Sequence, residues 1–158
     1  MARELVVVWA GRPQRDNWDE LCAEYRRRIA GFIPVRDVPV RARTEAQGRQ
    51  RLRIEAAALT AALPDPVYLV ALDRRGAALS SEDLAARLGR VRDEWPHAVG
   101  FVVGSDLGLD ESLLAAARLR LSLGPLTLPH ELARLVLYEQ LYRALTFLAG
   151  MPYHRRPL

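Results

Sequence analysis

Lysine is missing from this chain altogether: all 23 of its basic residues are arginine. Arginine forks onto phosphate with two parallel hydrogen bonds and stacks on bases, so an arginine-only set suits a nucleic-acid partner. A genome whose codon bias replaces lysine everywhere is the simpler cause, so only the placement of the charge carries information. Cysteine is nearly absent as well. Cys22 stands alone, which excludes an intramolecular disulfide and leaves a cysteine-based metal centre short of ligands. No metal is expected, and a reducing cytoplasm fits. Long apolar runs are lacking too: the run near the start, within ELVVVWA, ends after five or six residues, too short for a signal-peptide core or a membrane span. The expected setting is cytoplasmic, with no membrane partner. There are no repeats, low-complexity tracts or linkers, no G-x-G-x-x-G and no phosphate loop ending in G-K-[ST].

What is present suffices for one core. With 158 residues, half of them hydrophobic, residues 1–158 are expected to form a single domain. Glu4 to Trp9 reads as a strand buried on both faces. Asp16 caps a helix through about Ile29, with Trp18, Leu21, Cys22, Tyr25 and Ile29 on one side, and Gly31 ends it. Phe32 to Val40 is a weaker strand that Pro34 and Pro39 confine to an edge or a short core segment. Thr44 is the expected cap of an arginine-rich helix that Pro64-Asp65-Pro66 terminates. Val67 to Leu72 is the cleanest strand, after which Asp73-Arg74-Arg75-Gly76 is expected to turn the chain. Ser80 and Asp83 open a third helix. Ala98 to Val103 and Leu119 to Leu123 are further strands, with a short helix from Asp110 to about Ala117 between them. Pro129 opens a last helix to about Leu148. This alternation predicts an α/β fold with a mostly parallel sheet flanked by helices on both faces. Ligands in such folds bind beyond the carboxyl ends of the strands, where the glycine-bearing loops after Leu72, Val103 and Leu123 fall.

Charge is concentrated. Net charge is +4, yet nine arginines lie between Arg26 and Arg53 against only Asp37 and Glu45. Such a segment forms either a phosphate-facing surface or a solvated helix face. The loop VVGSDLG places Gly104, Ser105, Asp106 and Gly108 after a buried strand. It permits close approach to a ligand, and it equally suits an ordinary strand-to-helix turn capped by Asp110. SLGPLTLPH offers flat apolar walls and free backbone donors and acceptors, or else a tight connector that fills the core with Leu126 and Leu128. His130 stands at a helix entry, where the dipole disfavours an imidazolium, and reads as structural. His97, after Trp95-Pro96, has no visible partner. PYHRR at the chain end is by default a loose terminus; packed over a pocket it would supply an aromatic face, a group titrating near neutral pH and cations for phosphate.

LTLPH, the LYEQLYRA helix and the terminal PYHR together resemble the ribosomal RNA large subunit methyltransferase H family, of the SPOUT superfamily. The resemblance covers the whole length and is strongest from Val67 onward. It implies a C-terminal trefoil knot that forms the cofactor pocket, S-adenosylmethionine as cofactor, and methylation of N3 of a pseudouridine in 23S ribosomal RNA on the ribosome. It also implies a homodimer in which each pocket is completed by the partner. Carried onto this chain, the cofactor residues are Leu72, Gly104, Ser105, Gly124, Pro125, Leu126, Thr127, Leu128 and Pro129. The catalytic set is His154, Tyr153 and Arg143, with Tyr142 nearby, and Arg155 and Arg156 bind RNA. The family usually carries two adjacent glycines where this chain has Gly104-Ser105. Two other readings of the sequence are a non-catalytic RNA-binding or ribosome-associated protein and a small flavodoxin-like nucleotide-binding regulator.

Overall fold

The computed structural model describes residues 1–154, with His154 described by its backbone alone. The strands are β1 (Leu5–Ala10), β2 (Val35–Val40), β3 (Val67–Ala78), β4 (Ala98–Val103) and β5 (Leu119–Ser122). They form one sheet in the order β2-β1-β4-β3-β5, and every neighbouring pair is parallel. The helices are α1 (Asn17–Ala30), α2 (Gly48–Ala62), α3 (Ser81–Glu94), α4 (Glu111–Ala116) and α5 (His130–Leu148), followed by a 3-10 turn at Pro152–His154.

Side chains of successive strand residues point to opposite faces, which splits the core in two. Leu5, Val7 and Trp9 of β1 and Val99, Phe101 and Val103 of β4 meet Ile29, Leu84, Leu88, Leu137 and Leu141 of α1, α3 and α5. Val6, Val8 and Val102 meet Ala56 and Leu59 of α2 and Leu113 and Leu114 of α4. Burial on both faces explains why these strands read as continuous apolar runs. The expected helix caps are present at Asp16, Ser80 and Asp110, each accepting from an amide of its first turn.

The edge position of β2 follows from its prolines. Leu5 N–H donates to Pro34 O and Gly11 N–H to Val40 O, so even-numbered residues of β2 pair with β1 and odd-numbered ones turn their amide groups outward. Pro39 therefore removes a donor from the free edge, where it costs no ladder bond.

Three expectations fail. Thr44 does not cap α2: its hydroxyl takes the Ala46 amide at 3.0 Å in a local turn, and the helix starts at Gly48 after Gln47, which makes no side-chain cap. Asp73 to Gly76 do not end the strand. Leu72 and Ala77 both stand opposite Leu121, so residues 73–76 bulge out and β3 resumes against Ser122. Gly76 is needed there, since a Cβ would lie 2.4 Å from Arg120 O. His97 is also not alone, for its ring meets Trp95 edge-on at 5.4 Å.

One polar cluster joins β1, β2, α1 and α5. Arg134 is 4% exposed. Its Nε and Nη2 donate to Asp37 at 3.2 and 2.9 Å, and its Nη1 to Asp19 at 2.9 Å. The guanidinium lies 4.0 Å from the Trp9 ring centroid, and the indole N–H donates to Asp37 at 3.0 Å. Tyr138 O–H also donates to Asp37. Burial, and then the neighbouring Asp37 charge, raises the Tyr138 phenol far above the usual tyrosine range.

Two outcomes follow. Asp37→Ala leaves the Arg134 charge buried with Asp19 alone and should cost about 3 kcal/mol or more in urea unfolding. The loss for Arg134→Met should be smaller, because Asp37 keeps its other donors. Because the folded pKa of Tyr138 is raised, its contribution to stability is complete below about pH 10, where free tyrosine titrates, and is lost as pH rises further. Tyr138→Phe should flatten that alkaline fall.

Candidate active site

The carboxyl ends of β3, β4 and β5 open into a cleft of about 810 Å³. Three stretches wall it: Leu72 to Arg75 from the β3 bulge, Val103 to Leu109 after β4, and the segment from Leu121 through His130 that leads into α5.

The wall after β4 is fixed by backbone contact. A Cβ on Gly104 would lie 2.2 Å from Gly108 O, so only glycine fits; Gly108 has φ +81° and donates its N–H to Ser105 O at 2.9 Å. Ser105 adds a side-chain tie. Its hydroxyl donates to Glu55 of α2 at 2.9 Å, and Glu55, 5% exposed, also accepts from Arg51 Nε at 3.3 Å. The Ser105 hydroxyl thus satisfies a buried carboxylate.

The wall after β5 is tied to the β3 bulge. Ser122 Oγ donates to Arg74 O at 3.0 Å and accepts from Gly124 N–H at 3.1 Å, while Arg74 Nη1 donates to Thr127 Oγ1 at 2.7 Å. Gly124 turns the chain at φ +119°. Leu126 is held out at the cleft, 77% exposed, more than any other large apolar side chain among the described residues.

Of the expected cofactor residues, Leu72, Gly104, Ser105, Gly124, Leu126, Thr127, Leu128 and Pro129 all line this one cleft. Pro125, between Gly124 and Leu126 on the same loop, is exposed and is not among the residues that line the cleft. The structure adds Asp73, Arg74, Arg75 and Asp106, and it places His130 in the wall, its Nε2 3.2 Å from Glu131.

Tyr153 and Arg143 also meet each other, but at the far end of α5. Arg143 donates to Glu139 Oε1 through Nε at 3.0 Å and Nη2 at 2.7 Å, and Tyr153 O–H donates to the same oxygen at 3.2 Å. Gln140 Nε2 takes the second Glu139 oxygen at 2.6 Å. The Tyr142 and Tyr153 rings meet edge-on at 4.7 Å, and the Arg143 guanidinium lies 5.0 Å from the Tyr153 ring centre. Burial pushes the Tyr153 phenol up to about 12, assisted by Tyr25 and the Glu139 charge. Glu139 was not singled out from sequence; the only signal was its four-residue spacing from Arg143 on a helix. Glu55, one acid among alanines, gave only the same kind of signal, its four-residue spacing from Arg51. The side chain of His154, and Arg155 and Arg156, lie outside the described residues.

At 1.5 Å per helical residue, the thirteen positions from His130 to Arg143 span roughly 20 Å. The Arg143–Tyr153 cluster therefore stands well away from the cleft of its own chain.

A family model for predicted SPOUT methyltransferases matches residues 3–154. A protein of Rhodospirillum centenum named ribosomal RNA large subunit methyltransferase H is 43% identical over 151 residues, covering 96% of this chain and 98% of its own length. One of the same name from Solidesulfovibrio magneticus is 40% identical over 152 residues, covering 96% and 99%. Among solved structures, a probable methylase family protein from Haemophilus influenzae superposes with a TM-score of 0.51 at 11% identity, over 98% of this chain and 71% of that one, and shares the fold. On these matches the chain belongs to the SPOUT methyltransferases, within the family of ribosomal RNA large subunit methyltransferase H.

Proposed function

We propose that this protein methylates N3 of a pseudouridine in 23S ribosomal RNA, on the assembled ribosome in the cytoplasm, with S-adenosylmethionine as donor. Residues 1–158 act as one SPOUT-like domain whose C-terminal segment is knotted, and two copies work together. The observation that carries the reading is the cleft beyond β3, β4 and β5, whose glycine-pinned and leucine-lined walls coincide with the positions the family resemblance implies.

The residues present fit such a donor. Leu72, Leu126 and Leu128 provide apolar walls against which an adenine can lie. Asp106 places a carboxylate where a cationic donor enters. When bound, the sulfonium supplies a methyl group ready for displacement, so no metal is required.

The chain's own groups have the remaining tasks. The N3 proton must leave, and His154 is the group suited to hold it. Tyr153, with its phenol at about 12, stays protonated at neutral pH and serves as donor and aromatic face, not as base. Arg143, held in place by Glu139, directs positive charge at the substrate, and Arg155 and Arg156 bind phosphate. Because this cluster is roughly 20 Å from its own cleft along α5, it serves the cleft of a second copy. Leu21, Phe32 and Met151 are exposed large apolar groups; Phe32 packs against Tyr142 at 6.3 Å, which suits a subunit contact at this end of the helix.

Ribosomal RNA from cells lacking the protein should show by mass spectrometry one pseudouridine without its methyl group. Failure of the purified protein to bind S-adenosylmethionine would instead favour a non-catalytic RNA-binding role. His154→Ala should lower kcat by about 100-fold or more with cofactor affinity within twofold; full activity in that variant discards the base assignment. Mixing subunits of inactive Gly104→Ala with inactive His154→Ala should restore part of the activity, because one composite site in each mixed dimer is intact. No restoration would place each site within a single chain.

A further inference from the structure

Folding engages only part of the arginine-rich segment. Arg26, Arg27, Arg28 and Arg36 are engaged by Asp37, Glu24 and Glu4. Arg41 and Arg43 have no carboxylate partner among the described residues, and neither has Arg12 from the loop after β1. These three exposed cations converge on a second cleft of about 850 Å³, beyond the carboxyl ends of β1 and β2.

This second cleft adjoins the first: Ser105, Asp106 and His130 line both. Arg51 is also in its wall, and its carboxylate partner is Glu55, which holds Ser105 on the cofactor side. The other acids are Glu45 and the shared Asp106. Beside the cleft α2 begins with no side-chain cap and no acidic residue in its first turn, so its first amide groups stay open to an anion. The space is far larger than one phosphate needs, and it is open to solvent along the sheet edge.

We propose that this cleft holds the RNA backbone next to the target nucleotide, with Arg12, Arg41 and Arg43 as its phosphate-binding cations. The inference rests on the methyltransferase reading above for the identity of the RNA. Planar guanidinium forks match phosphodiester oxygens, and a strand laid here leads directly to the shared wall where the methyl group is delivered.

The test uses the full chain with Arg12, Arg41 and Arg43 all replaced by glutamine, a short mixed-sequence RNA hairpin as probe, and titrations at several salt concentrations. Affinity at low salt should fall at least tenfold. The slope of log K against log salt should shrink by about 2 to 3, as expected for three lost phosphate contacts. S-adenosylmethionine affinity and thermal melting should be unchanged. A control with Arg87, Arg90 and Arg118 replaced by glutamine, away from both clefts, should keep the wild-type slope. An unchanged slope in the first variant, an equal loss in the control, a parallel loss of cofactor affinity, or no RNA binding by the wild type would each overturn the proposal. If the wild type binds RNA through these arginines yet ribosomal RNA in cells is unaffected by its removal, the methylation reading fails and the cleft assignment stands.

Discussion

The position of α5 depends on one buried charge. Arg134 reaches into the domain from the second turn of that helix and is fixed by Asp37 of β2, Asp19 of α1 and the face of Trp9 in β1. Removing a guanidinium from water carries a large desolvation cost, and the paired carboxylates and the ring offset it only in this geometry. Apolar packing alone would let a helix with leucines on several sides rotate or slide; the fork of Arg134 has a single satisfied orientation. The cluster thus supplies register more than net stability.

Register matters because α5 runs from the cleft walls to the cluster of Arg143, Glu139 and Tyr153. Its first residue, His130, forms part of the walls of two clefts, while Arg143 and the turn holding Tyr153 sit roughly 20 Å further on. Ser122, Arg74 and Thr127 lock the entry to the helix, and Glu139 locks its exit by accepting from both Arg143 and Tyr153. A small domain can hold two polar clusters at a set distance in this way, provided that a rigid element fixes their separation.

Much of this was legible in the sequence because buried parallel strands leave an unambiguous trace. Val6, Val7 and Val8, or Val102 and Val103, are apolar on both faces, and the glycines that follow mark the sheet edge where ligands bind. Pattern failed where a contact distant in sequence overrides local chemistry. Asp73-Arg74-Arg75-Gly76 has the composition of a turn, but β5 runs alongside and draws the segment into a bulge. Thr44 has the chemistry of a helix cap, but its hydroxyl is already taken by Ala46. Glu55 and Glu139 showed no more than helical spacing to an arginine for the same reason: their roles come from Ser105 and Tyr153, brought to them by the fold.

The proline at the outer margin of β2 bears on any contact between copies of this chain. With its outward donor missing at Pro39, the sheet offers an incomplete template on that side, and the opposite margin is a strand of only four residues. Neither border invites continuation into a neighbour's sheet. Any contact between copies is thereby turned from the sheet borders toward the helix surfaces.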